Sequence, residues 1–455
     1  MAELPSDIKA MFINDDFDSS QFFSEKGGFL HYQFAEYLAD KHNGILLDGK
    51  PHLFDGKKYI SLDKNTIRKL TLNYLPSLKE NQNKEVYYKL EALCGKNPQE
   101  QAAPYFVGVN NGIVDIRKMQ LTDFNPDIHI TNIIPVDYYP EAQSDLVESF
   151  IKDLSNDDVE VERLLYEMIG YGLYRDNFLQ KAFFFFSPGG NGKSTLFKLL
   201  HRFYGTQNTT ALSFKDIQSR FKPASLQSTM VNIADDIDPD FIKETGNYKT
   251  IVTGDKFNAE RKGQDDFNFI PYVKLMFAGN ELPQTSDRSR GFYRRMILIP
   301  MLKQFGRDGE KGDPMIFHKL KQPQHLSALL NLALKGLSNL LEAGYIQEPK
   351  VSIDYKAQYE YDNDPILQFL NESTDDKHRT IPAVEGRPTE KAYAIYQSWC
   401  NKNGLLAVSK PKFTRELRRI GLDTTVKWST SYQKSIRFYA YETTDIFYDE
   451  DGGKL

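Results

Sequence analysis

The sequence predicts an α/β fold in which a parallel sheet lies between helices, preceded by an α+β domain and followed by a small domain of helices and a hairpin. Three observations predict it. Lys181–Phe186 is an apolar run with four consecutive phenylalanines, the pattern of a strand buried on both faces. It passes through Ser187-Pro-Gly-Gly-Asn-Gly-Lys-Ser-Thr195 into Leu196-Phe-Lys-Leu-Leu200, whose apolar spacing is helical. Three more apolar runs follow, Thr229–Ala234, Val273–Ala278 and Ile297–Pro300, each short enough to be a strand of the same sheet.

Composition sets the outer bounds. A chain of 455 residues has room for two to four domains, and 40% hydrophobic with 26% charged residues is ordinary for a globular protein. The net charge of −5 gives no overall basic signature, so any contact with nucleic acid must come from local patches. Cys94 and Cys400 are the only cysteines, which fits a reducing cytosol and leaves no CxxC zinc pattern. No apolar run approaches eighteen residues and no signal peptide is evident, so the expectation is a cytoplasmic protein with no membrane partner.

The elements are read in chain order. Residues 1–21 are acidic and polar and read as a loose tail. Residues 22–143 mix helix and strand: Phe29–Leu38 has helical spacing, His52–Ile60 carries an Asp-Gly turn between apolar flanks, and Tyr105–Ile116 turns at Asn111-Gly112. Residues 144–179 form a helical linker region, broken at Ser155–Asp158 and resumed at Val161–Leu173. The sheet domain with a helical lid spans 180–346, including a charged, glycine-rich connector at Gly306–Pro314 and helices over Met315–Ala343. A polar linker, 347–364, leads to the last domain, 365–455.

The glycine-rich run is where chemistry is expected. A strand, a glycine turn and a helix opening on Gly-Lys-Ser/Thr form a phosphate-binding loop, whose backbone N–H groups and helix dipole hold phosphate oxygens. The cradle would be Ser187, Gly189, Gly190, Asn191, Gly192, Lys193, Ser194 and Thr195. Lys193 would reach the β- and γ-phosphates of ATP, and the Ser194 hydroxyl would ligate Mg²⁺ ahead of Thr195. Ser187 stands where the usual pattern opens with glycine, so the turn falls to Gly189, Gly190 and Gly192.

Three later sites complete this reading. Thr229–Ala234 ends in Asp235-Asp236, which places carboxylates at a strand's carboxyl end. Asp235 is assigned to Mg²⁺ and Asp236 to the attacking water, with the roles exchangeable. Val273–Ala278 ends in Gly279-Asn280, and an asparagine there can bond both a γ-phosphate and the water. Arg294 and Arg295, just before Ile297–Pro300, are candidates for an arginine supplied to a neighbouring subunit's phosphate.

Taken in order, these segments resemble helicase superfamily 3 within the AAA+ ATPases, in its phage, plasmid and poxvirus branch. SPGGNGKST resembles that branch's Walker A, VNIADD its Walker B, FAGNELP its sensor-1 motif and YRR its arginine finger. Gly254–Lys262 resembles the segment that lies between Walker B and the sensor, and NNGIVDI with HITNIIPVDYYP resembles the domain that precedes these helicases. The resemblance runs from about Phe22 to Leu302. It implies an AAA+ core, a homo-hexameric ring with ATP and Mg²⁺ at its subunit interfaces, and one DNA strand in the pore, moved 3′→5′. It also implies the replication of a mobile element in a bacterial host cytosol.

Two regions are candidates for DNA. Phe257–Arg261 and Phe267–Pro271 flank a basic tip and read as a hairpin, which the resemblance places in the pore. Arg261 and Lys262 would hold phosphates, with Lys256 a lesser candidate. Between Arg387 and Ala440, eleven cations face three acids. Ala392–Lys402 and Ser409–Arg419 read as helices, followed by a hairpin of Lys427–Ser431 and Ser435–Tyr441, an order that suggests a winged helix. Its second helix would present Lys412, Arg415, Arg418 and Arg419 to duplex DNA, with Trp428, Tyr432 and Phe438 near the wing.

The function these readings favour is an ATP-dependent replicative DNA helicase that acts on single-stranded DNA and recognises a double-stranded origin. No clustered acidic motif of a primase is evident, so a separate primase, a polymerase or a single-strand-binding protein would be its partners. An initiator ATPase that melts an origin without processive unwinding uses the same residues. A small-molecule kinase or GTPase-like switch is the reading from another class, although no Asn-Lys-x-Asp guanine motif follows the loop.

Overall fold

A computed structural model describes residues 17–187, 189–235, 242, 244–263, 265–285, 287–305, 312–372, 384–429 and 433–441. They divide into two compact units, Met1–Pro283 with Arg290–Ile353, and Gln284–Ser289 with Asp354–Leu455.

The first unit opens on a short 3₁₀ turn, Ser19–Phe22, capped by the Asp18 carboxylate. Phe17 stacks on Phe22 and meets Tyr74 edge-on, so the expected tail is packed from Phe17 onward. Helices α1 (His31–Lys41), α2 (Lys64–Tyr74) and α3 (Glu80–Cys94) share a core built on Phe34, Leu38, Leu70, Val86 and Leu90. The antiparallel sheet β1 (Ile45–Leu47), β2 (Lys50–Phe54), β3 (Tyr59–Ser61) lies among them. Its Asp-Gly turn forms because the Asp55 carboxylate accepts the amides of Lys57 and Lys58. A second sheet has the order β6 (Gln120–Thr122), β5 (Gly112–Asp115), β4 (Phe106–Val109), β7 (Ile133–Ile134). Val109 pairs with Gly112, so the loop is Asn110-Asn111, one residue earlier than the sequence suggests.

Helices α4 (Asp145–Leu154) and α5 (Val159–Tyr171) meet at the break the sequence marks. Asn156 and Asp157 are left-handed, and Asp158 caps α5 through the amides of Glu160 and Val161. Both helices belong to the apolar cluster that holds the parallel sheet, so the segment 144–179 forms a layer of that core.

That sheet is built from β8 (Ala182–Phe186), β9 (Thr209–Thr210), β10 (Val231–Ala234), β13 (Lys274–Gly279) and β14 (Met296–Pro300), all parallel, in the order β14-β8-β13-β10-β9. The antiparallel pair β11 (Phe257–Ala259) and β12 (Phe267–Phe269) stands apart as the expected hairpin. Around the sheet lie α6 (Lys193–Tyr204), α7 (Phe214–Ile217), α8 (Gly246–Thr253), α9 (Arg290–Tyr293), α10 (Ile316–Leu320) and α11 (Pro323–Ala343). Every residue of β10, β13 and β14 is buried, as a sheet covered on both faces requires. Helices α5 and α11 cross at backbone contact. A Cβ on Gly170 would sit 2.1 Å from the Ala333 carbonyl oxygen, and one on Gly336 would sit 2.8 Å from that of Tyr166.

The amino-terminal elements are fastened to the sheet domain by buried amides. Asn132 donates to Asn208 Oδ1 at 2.9 Å and to the Ser228 carbonyl at 3.1 Å, and accepts from the Tyr272 hydroxyl at 2.9 Å. Asn208 returns a bond to the Ile133 carbonyl at 2.8 Å. Such groups are costly to bury unless paired, and here they pair with one another across the boundary.

Helix α12 (Lys350–Asp362) occupies most of the expected linker and carries the chain into the second unit. There, α13 (Pro365–Glu372), α14 (Thr389–Lys402), α15 (Lys410–Arg419) and the hairpin β15 (Asp423–Ser429), β16 (Lys434–Ala440) surround Phe369, Tyr396, Phe413, Leu417 and Tyr439. Residues 284–289 join this unit because the Thr285 amide donates to Asn363 and Arg288 pairs with Asp364. Pro411 stands in the first turn of α15, as the sequence suggests. The hairpin begins four residues earlier than expected. Phe438 is fully buried, whereas Trp428 is 64% exposed.

Two stability predictions follow from the packing. Gly336→Ala, which has no room at the α5–α11 crossing, is expected to lower the unfolding free energy by about 1–3 kcal/mol in denaturant titration. Lys274, at the start of β13, is 1% exposed, and burial pulls its pKa down to about 7. Between pH 7 and its unfolded value near 10.5, the unfolded chain binds the extra proton, so stability should rise with pH across that window. Lys274→Met should flatten the rise in thermal melts.

Candidate nucleotide-binding site

The parallel sheet brings distant segments to one edge. Phe186 is level with Gly279 and with Pro300, and Ala234 is level with Phe277. Ser187, Asn280 and Asp235, the residues that follow β8, β13 and β10, therefore stand together at the carboxyl edge, where α/β sheets bind ligands. Asn280 and Asp235 are exposed there. Asp236 lies outside the described residues.

The glycine-rich turn leaves β8 and enters α6 through backbone that only glycine adopts without strain. Gly189, Gly190 and Gly192 have φ of 104°, 72° and 79°. Gly192 has a second reason to be glycine: a Cβ would meet Leu154 at 2.7 Å and Phe305 at 3.2 Å. Its carbonyl accepts the Leu196 amide and so opens α6. Helix geometry leaves the first-turn amides of Ser194 and Thr195 without an intrahelical acceptor, and no side chain caps them. An anion at this terminus is favoured by those amides and by the helix dipole.

Lys193 is buried, with its ammonium donating to the Ser187 carbonyl at 2.8 Å and to the Ser187 hydroxyl at 2.7 Å. That hydroxyl donates in turn to Asn191 Oδ1 at 2.7 Å. Asn191 gives its amide hydrogens to the carbonyls of Met301, at 2.8 Å, and Lys303, at 2.7 Å. The Phe305 amide returns a bond to the Gly190 carbonyl. The departure from glycine at Ser187 thus has a structural role: its hydroxyl joins the lysine to the amide that ties the loop to the segment after β14. Motif spacing identifies these residues but does not show that the serine and the asparagine touch. The Ser194 hydroxyl is exposed on the first turn and Asp235 is exposed across the edge, so both are oxygen donors that a divalent cation could use.

The two arginines lie at the opposite edge. The Ala182 amide bonds to the Arg295 carbonyl, so both arginines precede β14 and sit one strand length, about 16 Å, from the glycine-rich turn of their own chain. They also differ from each other. Arg295 is half-buried; its guanidinium donates to Thr253 Oγ1 at 2.8 and 3.1 Å and to the Gly291 carbonyl. Burial first, and the neighbouring Arg294 charge second, lower its pKa. Arg294 has its carbonyl held by Lys181 at 2.7 Å, and its side chain is exposed. Thr253, the last residue of α8, is a partner that no motif marks.

The candidate nucleic-acid residues are also placed unequally. Lys262 and Lys256 are exposed, whereas Arg261 lies back against the hairpin, bonded to Gln227 at 2.8 Å. On α15, Arg418 pairs with Asp423 at 2.7 Å, and Arg419 pairs with Glu416 at 3.5 Å and with Asp364 at 3.7 Å. Lys412 is half-buried and has no ion pair among the described residues; the Arg415 side chain is 73% exposed and approaches only Glu416, at 4.0 Å. Tyr432 falls outside the described residues.

Known proteins resemble this chain along most of its length. Residues 30–156 match the family described as D5 N terminal like, and 361–451 match the family described as poxvirus D5 protein-like. Residues 185–295 match a family of unknown function, DUF5906. A protein of Acanthamoeba polyphaga mimivirus named "Putative helicase L207/L206" is 24% identical over 298 residues, which are 59% of this chain and 30% of that protein. The chain therefore spans less than a third of the length of this curated relative. Among solved structures, the apo structure of the NrS-1 C terminal region aligns over 90% of this chain and 99% of its own, at 14% identity and a TM-score of 0.49. The A form apo structure of the same region aligns over 90% and 98%, at 14% identity and the same TM-score. With D5 families matched toward both ends and a viral relative named as a helicase, the chain is similar to the phage and poxvirus type of superfamily 3 helicase.

Proposed function

We propose that the chain is an ATP-driven DNA helicase whose catalytic sites are shared between neighbouring subunits of a ring. One observation carries this reading. The carboxyl edge of the sheet gathers Lys193, Asp235 and Asn280, while the exposed Arg294 lies a strand length away, beyond reach of its own loop. An arginine so placed can serve only a second copy's phosphate, and a ring in which each subunit serves the next closes the set. A hexamer is the closure that the family resemblance suggests.

The residues present fit ATP with Mg²⁺. The left-handed glycines and the first-turn amides of α6 form a cradle for phosphate oxygens, and Lys193 sits at its base. Mg²⁺ in phosphate sites takes one or two protein oxygens and leaves its other positions to phosphate and water, which suits Ser194 and Asp235. Bound there, the ion would neutralise charge on the β- and γ-phosphates. Lys193 would exchange the Ser187 oxygens for phosphate oxygens. Asn280 would orient the attacking water, with Asp236 as its activating base. Arg294 would stabilise the charge that spreads over the transferred group of the adjacent subunit. Arg295, held on Thr253 and Gly291, would support Arg294 from its own chain.

The hairpin β11–β12 is the element proposed to follow a DNA strand, with Lys262 and Arg261 on phosphates and movement 3′→5′. In the second unit, two helices and a hairpin suit a winged helix for duplex origin DNA, with Lys412, which has no ion pair among the described residues, and Arg415, which meets only Glu416 at 4.0 Å, as its cations, and Trp428 exposed on the hairpin. A separate primase would then supply primers. Among the described residues, no helix is long and apolar enough to cross a membrane.

Lys193→Ala is expected to abolish ATP hydrolysis while leaving DNA binding by the second unit in place; turnover at the wild-type rate would remove the loop from the chemistry. Arg294→Ala should lower kcat by roughly 10³-fold or more. Activity should return in part when this variant is mixed with Lys193→Ala subunits, since each supplies what the other lacks. Mixtures no more active than their components would contradict a shared site.

A further inference from the structure

Beside the hairpin, the cations of the first unit are not treated alike. Arg220 is neutralised by Glu260 at 2.6 Å, and Lys222 by Asp216 at 2.6 Å. Arg261 and Lys50 have no ion pair among the described residues, and both reach one neutral oxygen. Arg261 Nη2 donates to Gln227 Oε1 at 2.8 Å, and Lys50 Nζ donates to the same atom at 3.1 Å. They also share one ring: the Arg261 guanidinium carbon is 4.2 Å from the Phe267 centroid, and the Lys50 ammonium is 5.5 Å from it. The carboxylates that attract Lys50 have other duties. Asp48 accepts the Gln101 amide, and Asp63 caps α2 through Asn65 and Thr66. Burial, and then the Arg261 charge, push the Lys50 pKa below its ordinary value.

Two cations on one amide oxygen and one aromatic ring repel each other, and among the described residues no ion pair with a carboxylate relieves it. An anion placed against both would recover that cost, which is the arrangement of a phosphate site rather than of a structural ion pair. The surroundings favour a phosphate that belongs to a chain. The exposed Lys262 follows Arg261 at the hairpin tip, and Phe267 and Phe269 lie stacked on β12, and cations with aromatic faces are what single strands use. Lys50 comes from β2 of the amino-terminal domain, 177 residues from Gln227 in sequence, and no motif points to it.

We propose that Lys50 and Arg261 together clamp one phosphodiester of a single nucleic-acid strand, so that the amino-terminal domain carries part of the track along which the strand runs. The proposal rests on the reading of the hairpin as the strand-contacting element.

Binding of labelled oligo(dT) to the full chain over a salt series tests it. Lys50→Ala should weaken binding roughly 3- to 10-fold and reduce the slope of log affinity against log salt by up to about 0.7, the share of one single-strand phosphate, since Arg261 stays on it. Lys50→Arg should retain both values, and thermal melts of the two variants should match wild type. Wild-type affinity and slope in Lys50→Ala would overturn the clamp alone, as would an equal loss in Lys50→Arg. Displacement of the oligonucleotide by inorganic phosphate at the same phosphate concentration would make the pair a free-anion site and overturn the assignment to a strand. Failure of the wild-type chain to bind oligo(dT) would overturn the helicase reading and the clamp with it.

Discussion

The placement of β13 between β8 and β10 is the constraint on which the functional end of this molecule depends. Parallel strands lie about 4.8 Å apart, so the inserted strand sets the glycine-rich turn and Asp235 about 10 Å from each other. That span suits phosphates with a cation at one side and a water at the other. Asn280, the residue after the inserted strand, stands between them. If β13 lay at the sheet's edge instead, the same residues would be present in the sequence and would not form a site. The burial of every β13 residue is therefore part of the functional geometry as well as of the core.

The parallel sheet also separates two tasks. Its carboxyl edge carries the loop, and its amino edge carries Arg294, Arg295 and the chain that leads into β13. Arg295 and Thr253 join the arginine pair to the end of α8, and from there only Gly254, Asp255 and Lys256 intervene before the hairpin. On the proposed reading, a shift of Arg295 beside Arg294 would have a short route, through Thr253 and three residues of chain, to the hairpin. On the other side, Ser187 and Asn191 connect Lys193 to the segment after β14, the same strand that follows the arginines. Both ends of β14 are consequently tied to groups that nucleotide would touch.

Much of this was legible in the sequence wherever a local pattern dictates local structure. Four phenylalanines specify a buried strand, three glycines specify a turn with positive φ, and the Asn156-Asp157 break between α4 and α5 falls where the polar run stands. What escaped the sequence is pairing between distant residues. Spacing cannot say that Arg295 finds Thr253 while Arg294 stays exposed, because the two are adjacent in one motif and Thr253 lies 42 residues away. Nor can charge counting show that Arg418 and Arg419 meet carboxylates of their own unit, which narrows the basic face of α15 to Lys412 and Arg415. The polar segment 347–364 lacks an amphipathic stripe, so it read as linker, yet it is helical as α12. Lys50 was invisible for the same reason as Thr253: its partners lie in another domain.

Release of a strand from a forked DNA duplex by the purified full chain, measured with ATP and Mg²⁺, tests the central claim most directly. The account predicts strand release that depends on ATP hydrolysis and is lost in Lys193→Ala. A preparation that hydrolyses ATP and binds the fork but releases no strand would contradict it, and would leave a nucleotide-driven DNA-binding protein in place of a helicase.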